Sequence, residues 1–280
     1  MARQHIDYLH AQQLPWETDA YSSLPGVQSK TLSTDDETGA CTVILRYPRG
    51  WKMDGPWHIA ADVEFYLLDG KFELNGQLYT LDCYGFFPAG WVCDSASTET
   101  GADIMIFFEG HPDLIMNRPD EGQFDLTQAT PYINTFDMPW TNDGLDPDYE
   151  WFTMRNKFLR VNPKTNACTL IVEQGAQHLP KDNMGCTEAH PTVEEIFILS
   201  GEVRCPYGVL SAGMYLYRPP DIRHGPYFSR YSNVMLLRLS GKLDNNFSEP
   251  NTECSLYIDP KPRLPDELAQ YRGMYKPELY

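Results

Sequence analysis

The sequence predicts an all-β chain of two tandem antiparallel β-barrel or jelly-roll domains arising from an internal duplication. Three observations predict it. The first is self-similarity: "VQSKTLSTDDETGACTVILR" (27–46) lines up without a gap on "MRNKFLRVNPKTNACTLIVE" (154–173), sharing Lys30/Lys157, Leu32/Leu159 and an Ala-Cys-Thr run. Upstream, "LPWETD" (14–19) mirrors "MPWTND" (138–143). Downstream, "EFYLLDGKFEL" mirrors "EIFILSGEVRC", and Pro88, Cys93 and Gly110 fall opposite Pro219, His224 and Gly241. The second observation is a succession of short β-branched and aromatic runs separated by Gly, Pro, Asn and Asp. The third is size: 280 residues, 42 % hydrophobic and 22 % charged, supply enough apolar surface for two cores and no signature of disorder.

Taken in order, the first copy offers strands at "TVILRY", "EFYLLDGKFEL", "QLYTL", "GFFPAG" and "DIMIFFEG". The second offers "CTLIVEQ", "EEIFILSGEVR", "GMYLYRPP" and "NVMLLRLSG". Frequent alternation and close turn spacing point to antiparallel sheets folded on themselves. The expected boundaries are a first barrel over 1–112, a connection over 113–135 containing "NRPDEG", a second barrel over 136–243, and a tail over 244–280 with one short helix at "PDELAQYRGM".

Charge narrows the partners. A net charge of -17 opposes the phosphate neutralisation on which nucleic-acid and anionic-membrane binding depend, so neither is expected. A small-molecule substrate is expected instead; if anionic, it needs local cations, for which Arg155, Arg160, Arg204, Arg223 and Arg238 are the candidates. The first twenty residues lack the apolar core of a signal peptide, and no apolar run is long enough to span a bilayer. Seven cysteines without CxxC spacing read as mostly buried thiols in a reducing, cytoplasmic setting.

The segment with the densest chemistry is "EAHPTVEEIFILSG" (188–201). Glu188, His190 and Glu194 share even parity, so in one extended strand they point to one face, the inside of a barrel. His224 follows a Pro-containing turn on a neighbouring strand. Four N/O donors converging inside a barrel leave positions open for water or substrate, as a metal-using catalyst needs. The plainer alternative is three solvated carboxylates beside a hydrogen-bonded surface histidine. Glu195, of opposite parity, reads as an outer-face residue.

These residues carry a resemblance to the cupin superfamily, whose two motifs are G(X)5HXH(X)3-4E(X)6G and G(X)5PXG(X)2H. "HPTVEEIFILSG" supplies His190, Glu194 and Gly201, and "GMYLYRPPDIRH" supplies Gly213, Pro219 and His224, all at the motif spacings. Glu188 replaces the first histidine and Asp221 the second glycine. The first change keeps a ligand and shifts preference toward harder ions; the second falls at a turn where Asp tolerates left-handed backbone. The resemblance covers about residues 12 to 243. It implies a bicupin with one divalent metal, Fe or Mn favoured over Zn or Ni, held by Glu188, His190, Glu194 and His224. It also implies a homodimer joined through barrel edges.

In the first copy "GWKMDGPWH" retains only His58 of this pattern. Proline occupies the first ligand position, Val63 the carboxylate position and Cys93 the place of His224. With one extra residue absorbed by a bulge, Glu64 would join His58 and Cys93 in a softer, zinc-like site; the alternative, which is favoured, is a metal-free structural barrel. Trp57, Tyr66 and Phe87 are then core or interface. Arg223 and Arg238 are candidates to hold a substrate carboxylate bidentately, against the commoner reading of surface ion pairs. His178 borders the barrel mouth but lies outside both motifs.

The fold hosts many reactions. The leading expectation is an Fe(II)-type dioxygenase acting on a small polar metabolite, with Glu188 and Arg223 as catalytic residues. The alternatives are a redox-neutral Mn-dependent hydrolase, aminohydrolase, isomerase or lyase, and a non-catalytic metal- or ligand-binding sensor. The Glu188-x-His190 pair is similar to the arrangement in ureidoglycine aminohydrolases, although Glu194 and His224 depart from their remaining ligands.

Overall fold

A computed structural model of the chain describes residues 3–18, 23–145, 153–176, 187–205, 208–229, 231–248 and 263–272. Among them strands dominate, every pairing of named strands is antiparallel, and no helix is long and apolar enough to cross a membrane. The chain divides into two compact units, one of residues 1–3 and 15–138, the other of 4–14 and 139–280.

The first unit contains a seven-stranded sheet in the order Thr130–Asn134, Cys83–Phe87, Val63–Gly70, Ala102–Phe108, Cys41–Tyr47, Gln28–Thr34 and Glu17–Thr18. A five-stranded sheet, Leu114–Ile115, Lys52–Ile59, Cys93–Ser97, Phe72–Leu74 and Gln77–Tyr79, completes it. The core cluster takes Val43, Leu45, Phe65, Leu67, Ile104 and Ile106 from the larger sheet, and Trp57, Phe72, Cys93 and Ala96 from the smaller. In the larger sheet these are alternate apolar residues of the central strands, which meet there because side chains on a strand repeat every second residue.

The second unit repeats the plan. Its seven-stranded sheet has the path Ile6–His10, Met214–Arg218, Glu194–Cys205, Asn233–Leu239, Cys168–Gln174 and Met154–Val161, with Gly208–Ser211 paired to the far end of Glu194–Cys205. A two-residue strand Glu188–Ala189 pairs with Asn246–Phe247. The duplication extends to small devices. The opening strand of each copy bulges at the matching place, between Thr31 and Ser33 and between Phe158 and Arg160. The repeated tryptophan takes cations in both, with Lys30 and Arg46 lying 4.7 and 3.9 Å from the Trp16 ring and Arg155 and Lys157 lying 5.7 and 4.4 Å from Trp140. Gly70 and Gly201 both sit at positive φ, and a Cβ on either would stand 2.1 Å from a backbone oxygen of the neighbouring strand, which is why each copy keeps glycine there.

The boundaries differ from those expected. Residues 4–14 belong to the second unit, and the segment 113–135, expected as a connection, supplies two strands to the first. Ile6–His10 and Thr130–Asn134 are themselves repeats, each followed by a short 3-10 turn and a Pro-Trp pair. Each pairs with the corresponding strand, Met214–Arg218 or Cys83–Phe87. The segment preceding each copy's tryptophan therefore completes the sheet of the other copy, a pairing that local sequence does not encode. The tail contributes the Asn246–Phe247 strand, a bridge between Asp7 and Arg263, and a 3-10 turn over Asp266–Tyr271 where a helix is expected.

Candidate metal centre

Glu188, His190, Glu194 and His224 are all buried, at 3 to 7 % exposure. They do not share one strand. Glu188 lies on its two-residue strand, His190 follows it, a bend covers 191–192, and Glu194 opens the long strand. Single-strand parity is therefore replaced by three local constraints. Glu188 and His224 exchange backbone hydrogen bonds of 3.0 and 2.9 Å in an isolated bridge. The Asp221 amide donates to the His190 carbonyl at 2.7 Å, with Asp221 at φ 63, the left-handed backbone expected of it. Val193 is fixed against Ser240 through its amide and carbonyl at 3.0 and 3.2 Å.

The result is a cluster. One donor atom each from Glu188, His190 and His224 can be chosen so that all lie within 4.8 Å of one another, the only such grouping of three or more potential ligands among the described residues. Glu194 stands beside it, its Oε1 3.7 Å from His190 Nε2 and its Oε2 3.4 Å from His224 Nε2; His224 Nε2 is also 3.5 Å from Glu188 Oε1. His224 Nδ1 donates to the Ile222 carbonyl at 2.8 Å, which fixes the neutral ring as the tautomer with a lone pair on Nε2. That Nε2, Glu188 Oε2 and His190 Nδ1 are buried without a hydrogen-bond partner. Two ligands at about 2.1 Å from a common ion lie roughly 3.0–3.5 Å apart. The separations of His224 Nε2 from Glu188 and Glu194 match that spacing, and that between His190 and Glu194 lies just beyond it, so the donor set fits a divalent ion.

Glu194 has a second allegiance. Arg218 lies directly across the sheet from it, and Nη1 donates to Glu194 Oε2 at 2.6 Å while Nε donates to Asp7 Oδ1 at 2.9 Å. Arg218 is 1 % exposed. Burial pushes the Glu194 carboxyl up, but His224, Arg218 and His190 outweigh it and hold it down at about 2. Burial likewise opposes ionisation of Asp7, yet Arg218 and His5 leave it below its usual range. For His224, burial and Arg218 favour the neutral ring, and Glu194 and Glu188 more than offset them, raising its value. Asp7 reaches this site because the Ile6–His10 strand bulges, with Tyr8 at φ 68 and a register shift between Ile6 and Leu9. Neither Asp7 nor Arg218 was expected in the site. The signal for Arg218 was its parity with core-facing Met214 and Leu216 in "MYLYR"; for Asp7 none existed, because its strand pairs far along the chain.

The arginines singled out from sequence are elsewhere. Arg223 is exposed and bonds Thr187 and Asn246 at 3.2–3.3 Å, fastening the strand that carries Glu188. Arg238 donates to Glu195 at 2.7 Å, and Tyr215 donates to the same carboxylate, so Glu195 is buried in a pair rather than solvated. Arg155 pairs with Glu173 and Arg204 with Glu202. None of these arginines, nor Arg160, lines the cavity that opens on the cluster. That cavity, about 280 Å³, is bounded by Glu188, His190, Glu194 and Tyr227 and by many aliphatic side chains. His178 lies outside the described residues.

The first unit has no counterpart of the cluster among the described residues. Cys93 pairs with Trp57 as His224 pairs with Glu188, and Ile115 pairs with His58 as Asn246 pairs with Ala189. The copies therefore match without the extra residue assumed above, and the ligand positions are held by Trp57, Ile59, Val63 and Cys93. His58 falls one residue out of phase and its Nδ1 donates to the Asn117 carbonyl at 2.8 Å. Glu64 corresponds to Glu195 and accepts from Tyr84 at 3.1 Å, as Glu195 accepts from Tyr215. Burial pushes the Cys93 thiol up to about 12, as suits an inert core thiol.

A model of the ChrR cupin-like domain matches residues 4–111 and again 128–244. No curated protein matches significantly. Among solved structures, a candidate dioxygenase from Nostoc punctiforme superposes with a TM-score of 0.72 at 16 % identity, over 89 % of this chain and 88 % of that one. An oxalate decarboxylase of Bacillus subtilis, studied for its Mn(II) centres, gives 0.52 at 12 % identity over 88 % and 79 %. A candidate glyoxylate-induced protein from Pseudomonas aeruginosa gives 0.51 at 14 % identity over 91 % and 87 %. At such identities the likeness is one of fold. With both halves matched by one family model and both built as the same antiparallel barrel, the chain belongs to the ChrR cupin-like family, as a bicupin.

Proposed function

We propose that the second barrel binds one divalent ion through Glu188, His190 and His224, with Glu194 as a fourth donor shared with Arg218, and that the protein is an enzyme built on that ion. The observation that carries this reading is the convergence of three buried donors, with His224 Nε2 turned toward the carboxylates of Glu188 and Glu194 and lacking a hydrogen-bond partner. Their oxygen and imidazole chemistry, without thiolate, favours Fe(II) or Mn(II) over softer ions. When bound, such an ion supplies Lewis acidity and, if ferrous, the capacity to activate O2.

The chain's own residues do the rest. His224 and Arg218 keep Glu194 ionised, so Glu194 contributes fixed charge and is a poor proton acceptor near neutrality. Glu188 has a second carboxylate oxygen beyond the one that would bind the ion, and with it is the group placed to accept a substrate proton. The aliphatic wall lowers the polarity of the space beside the reacting end. A dioxygenase reaction is the reading preferred, supported by the overall likeness to the Nostoc protein. A redox-neutral manganese reaction is the second, favoured by the carboxylate Glu188 in place of a histidine and by the Mn(II) centres of the Bacillus fold relative.

Elemental analysis of protein purified without added metal should find about one Fe or Mn per chain. Less than a tenth of an equivalent, with no uptake on reconstitution, sinks the proposal. With a substrate in hand, turnover that stops without O2 identifies the dioxygenase; turnover that persists identifies the redox-neutral enzyme.

A further inference from the structure

Resting on that reading, we infer that the substrate is a small molecule with a mainly apolar body and one oxygen-bearing head, the head lying against the Glu188, His190 and His224 cluster and accepting a hydrogen bond from Tyr227. The expectation of a small polar metabolite does not suit the cavity. Its volume of about 280 Å³ is small for a ligand pocket, and its body is walled by Leu170, Val172, Ile196, Met235, Leu237 and Leu239. These side chains come from the inner faces of three adjacent strands and are buried around the space. A carboxylate or polyol facing them would lose its hydration without compensation.

Most other polar residues on the wall are already spoken for. Gln174 accepts from Asn233 at 3.0 Å, Asn156 donates to the Asp143 carbonyl at 3.0 Å, and Lys242, like Asn166, is exposed and pairs with Asp244. Tyr227 differs: its ring lies 5.8 Å from that of His224, it is 8 % exposed, and its buried hydroxyl has no hydrogen-bond partner. Asn156 Oδ1, also buried and without one, can accept from a single donor on the body of the ligand. A buried hydroxyl left unmatched is costly, and a ligand oxygen beside the ion would match it.

The test uses the full-length chain loaded with Mn(II), its occupancy checked by elemental analysis, and calorimetric titration with acetohydroxamate, butanohydroxamate and hexanohydroxamate. The head is constant and only the body grows. Affinity should rise about threefold to fourfold per added methylene until the cavity is filled. Equal affinities, or tightest binding by acetohydroxamate, overturn the inference and leave the metal proposal standing. Tyr227→Phe should weaken all three probes by a similar factor, about tenfold, without changing the increment per methylene; unchanged affinities remove Tyr227 from the head's recognition. Val172→Phe should erase the gain from hexanohydroxamate and spare acetohydroxamate. Val172→Ile is run beside it, with thermal denaturation of both, so that a misfolded variant is recognised; the milder change should shrink the gain. If the chain takes up no metal, the proposed function fails on its own. Hexanoate against acetate on the metal-free protein then decides the cavity: a preference for hexanoate upholds the apolar body and its absence refutes it.

Discussion

Two copies of one barrel have spent the same four positions differently. Where the second carries Glu188, His190, Glu194 and His224, the first carries Trp57, Ile59, Val63 and Cys93, on strands paired in the same register. The first set joins, or packs against, a continuous apolar cluster with Phe65, Phe87 and Ile106. The second set interrupts the apolar interior with two carboxylates and two imidazoles, balanced by one arginine that must also serve Asp7. The backbone is thus indifferent to which set it holds, whereas the energetics are not. Apolar residues at these positions stabilise the barrel by burial; charged ones need a cation to be tolerated there.

The largest expected effect is on that arginine. Arg218→Met in metal-free protein removes the countercharge that buried Asp7 and Glu194 share, leaving them only histidines, and should cost about 3–5 kcal/mol, read as a fall in the melting temperature of the second barrel. A variant as stable as the parent would show that the charge pairing has no structural role.

Next is the contrast at one matched position. Trp57→Ala should destabilise the first barrel by about 3–5 kcal/mol and leave metal content untouched. Glu188→Ala should do the reverse, with metal affinity reduced more than about tenfold and little lost stability in the metal-free protein. Equal loss of metal in both variants would mean that the first barrel also holds an ion. His190→Ala and His224→Ala should likewise empty the site, while His58→Ala, one residue out of phase, should leave the occupancy as it was.

A smaller effect follows from acid. The folded-state value of Glu194, about 2, lies below its usual 4.5, so its contribution to stability is complete above about 4.5 and disappears as the pH falls to about 2. Asp7, lowered from 3.8, acts in the same direction. Chelated protein should therefore lose melting temperature over that window in its second barrel before its first. Simultaneous unfolding would place the acid-sensitive charges elsewhere.

Much of this was legible before any coordinates. The gapless match of residues 27–46 to 154–173, the turn spacing and the two motifs pointed to duplicated barrels, and strand parity with the motif resemblance singled out Glu188, His190, Glu194 and His224, of which the first, second and fourth form the candidate cluster. Those features depend on local geometry: which residues can extend, which can turn, and how side chains alternate along a strand. What sequence misjudged depends on pairing between distant segments. His58 looked like a surviving ligand, but its phase relative to the barrel interior is set by the Cys93–Trp57 pair. Arg223 looked like the site's arginine because it neighbours His224, yet the buried one is Arg218, placed by its cross-strand pairing with Glu194.

The exchange of opening strands is the clearest case. "IDYLH" is not among the strands the sequence predicts and "TPYIN" lies in the stretch expected as a connection, and nothing in either says which sheet it will complete. Sequence by itself determined that there are two barrels and which one carries the candidate ligands, because alternation and motif spacing act over a few residues. Only the tertiary structure decided that Asp7, near the start of the chain, anchors the arginine of the second barrel, because strand pairing is chosen by the whole sheet and joins residues that the chain holds far apart.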